Sequence, residues 1–132
     1  MSRSPAPNEW QPTDAELEIL RVLWEQGPST VREVHTVLQK TRETGYTTVL
    51  KLLQIMHEKG LVRRDESSRA HVYEPNVSRA ATEKGLIDTL VDKAFEGSAS
   101  KLVLRALAAT QATPEELAEI RALLNQLEED DR

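Results

Sequence analysis

The sequence predicts a mainly α chain with one small β-hairpin: a helical domain that ends in the hairpin, then a second helical region. Three observations carry this. Helix-start signals of the capping-box type recur ahead of runs whose apolar residues lie three and four apart. Two short runs, LVRRDE and AHVYEP, flank a compact polar turn, SSR. The 132 residues include no cysteine and no apolar run near the length of a membrane span.

Residues 1–12 hold three prolines and little apolar material, so they read as a flexible arm, with Trp10 placed to staple it to the first helix. Thr13 and Glu16 form the first capping box; Leu17, Leu20, Leu23 and Trp24 follow at helical spacing, with Trp24 expected in the core, and Gly27-Pro28 ends the run. A second box, Thr30 to Glu33, opens a short helix with Val31, Val34, Val37 and Leu38 on one side. KTRETG breaks the pattern. Gly45 then serves as N-cap of a third helix that runs to Gly60. The hairpin follows, and Pro75-Asn76 closes it, which sets the expected domains at 13–76 and 77–132.

Beyond that boundary Ser78 caps a helix to about Phe95 with Leu86, Ile87, Leu90, Val91 and Ala94 in an apolar stripe. EGSAS interrupts, KLVLRALAA is short and almost wholly apolar, and Thr113-Pro114-Glu115-Glu116 combines an N-cap, an N1 proline and an N3 glutamate. In the last helix Leu117, Ile120, Leu124 and Leu127 repeat at 3-4-3 spacing and Leu123 widens the seam. So many leucines in so short a region have too little core of their own, and pairing with a second copy buries them.

Composition excludes several functions. Without cysteine there is no thiolate metal site and no cysteine nucleophile. His35, His57 and His71 are dispersed and read as surface or partly buried imidazoles, with His71 in the hairpin within reach of a phosphate. Adjacent acidic pairs such as Glu115-Glu116 point apart on a helix, and no nucleotide-binding or nucleophile motif occurs, so no enzyme, metal or cofactor is expected. MSRSPAPNEWQP lacks the apolar stretch of a signal peptide, and a cytosolic chain with no direct membrane association is the default expectation.

The formal charge is -5, yet Lys40 to Tyr73 carries a net +3. That stretch holds the third helix. At 100° per residue Val49, Leu52, Leu53 and Met56 face a core, while Thr47, Lys51, Gln54 and Glu58 gather opposite, with Thr48 and Leu50 on the flanks. Small hydroxyls, a cation and an amide in the first turns suit base edges and phosphates in a major groove. A short helix, a turn, a second helix with a polar start and a basic hairpin bearing Arg63, Arg64 and Arg69 follow the order of a winged helix-turn-helix.

AELEILRVLWEQGPSTVREVHTVL, YTTVLKLLQIMHEKGLVRR, RAHVYEPNVSR, LIDTLVDKAFEGSASKLVLRAL and TPEELAEIRALLNQLE resemble the penicillinase-repressor family, which includes the β-lactamase and methicillin-resistance repressors. The resemblance implies a homodimeric repressor that binds a palindromic, double-stranded operator DNA, controlling a β-lactamase or other antibiotic-response gene. It places DNA-reading positions at Thr47, Thr48, Leu50 and Lys51, with Tyr46 and either Ser29 or Thr30 near phosphates and Arg69 in the wing; the polar face of the third helix and the basic hairpin add Gln54 and Arg64 to the expected DNA-binding set. Dimer contacts fall on Leu86, Leu90, Leu117, Ile120, Leu124 and Leu127. Relatives often carry a long polar side chain where this chain has Leu50, which shifts base preference there towards an apolar contact such as a thymine methyl. A membrane sensor protease is the implied upstream partner, and the bond matching its cleavage site is Arg105-Ala106, where the relatives' Asn-Phe pair is absent.

Two other functions fit the fold class. One is a winged-helix adaptor for proteins, to which net acidity is suited; the other is a small-molecule-responsive regulator, although no residue pattern marks its pocket.

Overall fold

The computed structural model describes residues 11–131, so Trp10 and most of the expected arm lie outside the described residues. In chain order the elements are α1 (Asp14–Gln26), β1 (Ser29–Thr30), α2 (Val31–Leu38), α3 (Tyr46–Lys59), β2 (Val62–Asp65), β3 (Val72–Pro75), α4 (Arg79–Ala94), α5 (Ala99–Ala109) and α6 (Pro114–Asp130).

The helix starts are where the capping residues put them. Thr13, Thr30 and Thr113 each accept from the backbone N–H three residues on, and the glutamates at those positions accept from the cap backbone in return. Ser98 caps α5, and the Ser78 hydroxyl accepts from the Ala81 N–H at 3.0 Å. At the other end of α3, Gly60 sits at φ 82°, the left-handed conformation that lets the chain turn out of a helix, and the Leu61 N–H returns to the Met56 carbonyl at 2.9 Å.

The sheet has three antiparallel strands in the order β1-β3-β2, with Tyr73 opposite both Ser29 and Arg64. Two residues are too few to show alternation, so β1 was not expected from the sequence. The hairpin connection also runs longer than SSR, from 66 to 71. Asp65 accounts for this: its carboxylate accepts from the Ser67 N–H at 2.9 Å, a local turn that takes the chain out of the ladder.

The core is drawn from α1, α2, α3 and the sheet, and Ile19, Leu20, Leu23, Val34, Val49, Leu53, Met56 and Tyr73 are essentially sealed within it. In α1 the buried set is Ile19, Leu20, Val22 and Leu23, which corrects the stripe expected through Leu17 and Trp24; both of those are half-buried. An indole N–H needs an acceptor, and Trp24 finds one at the rim in the Val77 carbonyl, 3.0 Å away, with the Arg79 guanidinium 5.7 Å above its ring. Glu16, buried, accepts from Lys59 at 2.6 Å and so ties the start of α1 to the end of α3.

By internal contacts the chain divides after Asp88, so the first turns of α4, including buried Thr82, group with the unit before them. The strands of the winged helix themselves end at Pro75. In the second unit, α5 and α6 bury no residue, and Leu104 is 68% exposed.

Candidate nucleic-acid interface

Helix α3 presents two distinct faces. Val49, Leu53 and Met56 are fully buried, while Thr47, Thr48, Lys51 and Gln54 are exposed and Tyr46 is 44% exposed. Leu50 and Leu52 lie half-buried at the edges, packed against the core cluster. Because the inward side chains fix the rotation of the helix, the outward ones hold a defined spacing towards any partner. The N-cap Gly45 supplies no side-chain acceptor, in contrast to the threonines and serines at the other helix starts.

The segment entering α3 is held by a contact with no motif in the sequence. The His35 Nε2 lies 2.7 Å from the Thr44 carbonyl oxygen, and its ring meets Tyr46 edge-on at 5.8 Å. His35 thus helps place Tyr46 at the start of the exposed face. The nine-residue separation of His35 and Thr44 matches no local periodicity.

Between α3 and the hairpin lies an open cleft of about 460 Å3. Thr30, Tyr46, Leu50, Gln54, Arg64 and Arg69 all line it, joined by Arg32, His71 and Tyr73. Thr47, Thr48 and Lys51 project from the outer face of α3 beside it. Ser29 departs from its expected place: it is 2% exposed and its hydroxyl donates to the Gly27 carbonyl at 2.9 Å, so its side chain is not available to a phosphate. Thr30 is nearer the surface, with a hydroxyl oxygen that accepts from the Glu33 N–H and a proton left to donate.

Much of the basic charge counted along the chain is matched within the fold. Arg63 pairs with Glu74, its ladder partner, at 2.9 Å, and Arg42 pairs with Glu18 at 3.1 Å. Arg64 pairs with Glu66; a hydrogen bond to the Tyr73 side chain, with Glu66 adding to it, holds its guanidinium above the ordinary range. Lys59 belongs to Glu16. Lys40, Lys51 and Arg69, and Arg32 before them, have no ion pair among the described residues. Within the stretch that carries the net +3, Lys40, Lys51 and Arg69 are thus left without an ion pair among the described residues, and Lys51 and Arg69, with Arg32 from the preceding helix, lie on or beside the cleft.

The residues expected at a dimer contact are on helices with little burial. Leu86 and Ile120 are half-buried; Leu90, Leu124 and Leu127 are 45%, 51% and 55% exposed, and Leu117 is 36% exposed. Arg105 and Ala106 are exposed, with their peptide bond inside α5. Among the described residues no group of His, Asp and Glu is placed to hold a metal ion, and no helix is long and apolar enough to cross a membrane.

The family model described as penicillinase repressor matches residues 12–126. The penicillinase repressor of Bacillus licheniformis is 27% identical over 116 residues, 88% of this chain and 91% of that protein. The transcriptional regulator BlaI of Mycobacterium tuberculosis is 38% identical over 87 residues, which is 64% of this chain and 63% of that one. Among solved structures, a mutant MarR from E. coli complexed with operator DNA superposes with a TM-score of 0.50 at 19% identity, covering 92% of this chain and 79% of that one, a likeness of fold.

Proposed function

The chain belongs to the penicillinase repressor family, and from that premise we propose that it is a homodimeric repressor that reads a palindromic operator through the outer face of α3. One observation carries the reading: Thr47, Thr48, Lys51 and Gln54 stand exposed on a helix whose opposite face, Val49, Leu53 and Met56, is locked in the core beside a hairpin wing.

In this reading α3 enters the major groove. Lys51 and Gln54 offer donors to base edges, Gln54 also an acceptor, and the Leu50 side chain meets a thymine methyl. Thr30 and Tyr46 donate hydroxyl protons to phosphates, and Arg69 displaces condensed counterions along the backbone. The exposed leucines of α6, with Leu86 and Leu90 of α4, pack against a second copy, which sets two α3 helices on successive turns of one face of the duplex. Occupying the promoter in this way denies it to the transcription machinery in the cytoplasm. The chain performs no chemistry itself.

The names of the relatives support a β-lactamase or other antibiotic-response gene as the target. A membrane sensor protease that cuts at Arg105-Ala106 would separate α6 from the DNA-binding unit. Since that bond is helical, α5 must unwind locally before an extended protease cleft takes it.

The test is a gel-shift titration with the promoter region adjoining the chain's own gene, over a series of salt concentrations. The unaltered chain is expected to bind this DNA well above unrelated DNA and to weaken as salt rises, and Lys51→Ala to lose about 1–3 kcal/mol. Equal affinity for promoter and unrelated DNA would remove the repressor reading and leave the protein-adaptor alternative.

A further inference from the structure

We propose that Arg32, at the start of α2, and Arg69, in the wing, grip a backbone phosphate of the bound duplex from opposite walls of the cleft. The inference rests on the repressor reading and adds to it a residue outside the recognition helix and the wing.

Three features of the cleft carry it. Arg32, Arg64 and Arg69 all line it, and among the described residues no aspartate or glutamate does. With Arg64 already paired to Glu66, Arg32 and Arg69 are left as two uncompensated guanidiniums on a wall without carboxylates, which favours an anion over a cation. Next, the nearest acid in sequence to Arg32 is engaged elsewhere: the Glu33 carboxylate accepts from the Thr30 N–H at 2.9 Å in the capping box. Arg32 and Arg69 are both exposed, and neither has an ion pair among the described residues. Arg64 plays a different part, because it is paired with Glu66 and hydrogen-bonded to the Tyr73 side chain, and its Nε has no partner among the described residues.

The shape of the cleft favours a nucleic-acid strand over a free ion. At about 460 Å3 it is open and far roomier than a bare phosphate requires, and it runs beside Tyr46, Leu50 and Gln54 of α3. A strand whose bases meet the outer face of α3 would bring its phosphates along this wall. The α2 start and the wing then hold the recognition helix from two sides.

The experiment compares the salt dependence of promoter binding for Arg32→Gln, Arg69→Gln and the double variant of the full chain, with thermal unfolding as the check on folding. Each single variant is expected to flatten the slope of log K against log salt by about one unit and the double by about two, equally on promoter and unrelated DNA, since a phosphate carries no sequence. Arg32→Lys, which keeps the charge, should keep the slope. An unchanged slope in Arg32→Gln while Lys51→Ala still weakens promoter binding would overturn this assignment alone; absence of salt-dependent binding by the unaltered chain would remove the repressor reading as well. Inorganic phosphate, titrated at constant ionic strength, should leave promoter affinity unchanged. Displacement by phosphate that Arg32→Gln abolishes would make the cleft a free-anion site and likewise overturn it.

Discussion

Two regions of this chain with similar apolar sequence patterns end in opposite states. Up to Asp88, the stripes of α1, α2 and α3 each find another element, and Ile19, Leu20, Val34, Val49, Leu53 and Met56 are all sealed at 0% exposure. In α5 and α6 the stripes are as regular, yet Val103, Leu104, Leu123, Leu124 and Leu127 remain between 48% and 68% exposed. The difference shows that helical periodicity specifies a face and leaves open what covers it. Exposed apolar stripes of this kind are what the proposed pairing with a second copy would cover.

The sharpest way to break the comparison is at the uncovered face. Leu124→Asp combined with Leu127→Asp should leave the first unit's unfolding transition intact, reduce the mass seen in sedimentation equilibrium from two chains to one, and lower promoter affinity by about 10²- to 10⁴-fold as the second copy's contribution is lost. A two-chain mass in that variant would place the interface elsewhere. Truncation in the sealed core should act the other way. Leu53→Ala is expected to destabilise the first unit by about 2–5 kcal/mol in chemical denaturation, and a cost near zero would mean that this core is not what holds α3 in place.

The smallest effect belongs to the start of α6. Thr113→Ala removes a capping box and should cost about 1 kcal/mol of local helix stability, seen as faster amide exchange in the first turn of α6 with the first unit unaltered. Acid probes the same contact. The Thr113 backbone N–H, aided by its side chain, holds the Glu116 carboxyl below its ordinary value of 4.5. A depressed carboxyl contributes stability above its ordinary pKa, and that contribution is lost as pH falls through the lower folded value. Protection of the first α6 turn should therefore decline below about pH 4.5 in the unaltered chain, and a decline of equal size in Glu116→Gln, which has no carboxyl to titrate, would contradict the assignment.

Legibility of the sequence followed the range of each interaction. Capping boxes act within four residues, so the starts of α1, α2 and α6 were readable directly, as were the two faces of α3. Contacts set by tertiary register were not. Pairing of Arg63 with Glu74 depends on which residues face each other across β2 and β3, and without that ladder the wing looks more positive than it is. Ser29 looked like a surface hydroxyl until β1, too short to leave a pattern, drew it inside. Arg32 carries no motif beyond its place in TVRE, and only the folded chain sets it along the same cleft as Arg69. Trp24 followed the helical spacing correctly in direction but stopped at the rim, because its indole N–H required the Val77 carbonyl.

Whether two outer faces of α3 read one duplex is measured most directly by hydroxyl-radical footprinting of the promoter region adjoining the gene. The predicted pattern is two protected tracts on one side of the helix, their centres about 10 base pairs or a multiple apart, which fade together in Lys51→Ala. Protection that is absent or spread evenly along the fragment, at protein concentrations where the DNA is fully bound, would contradict it.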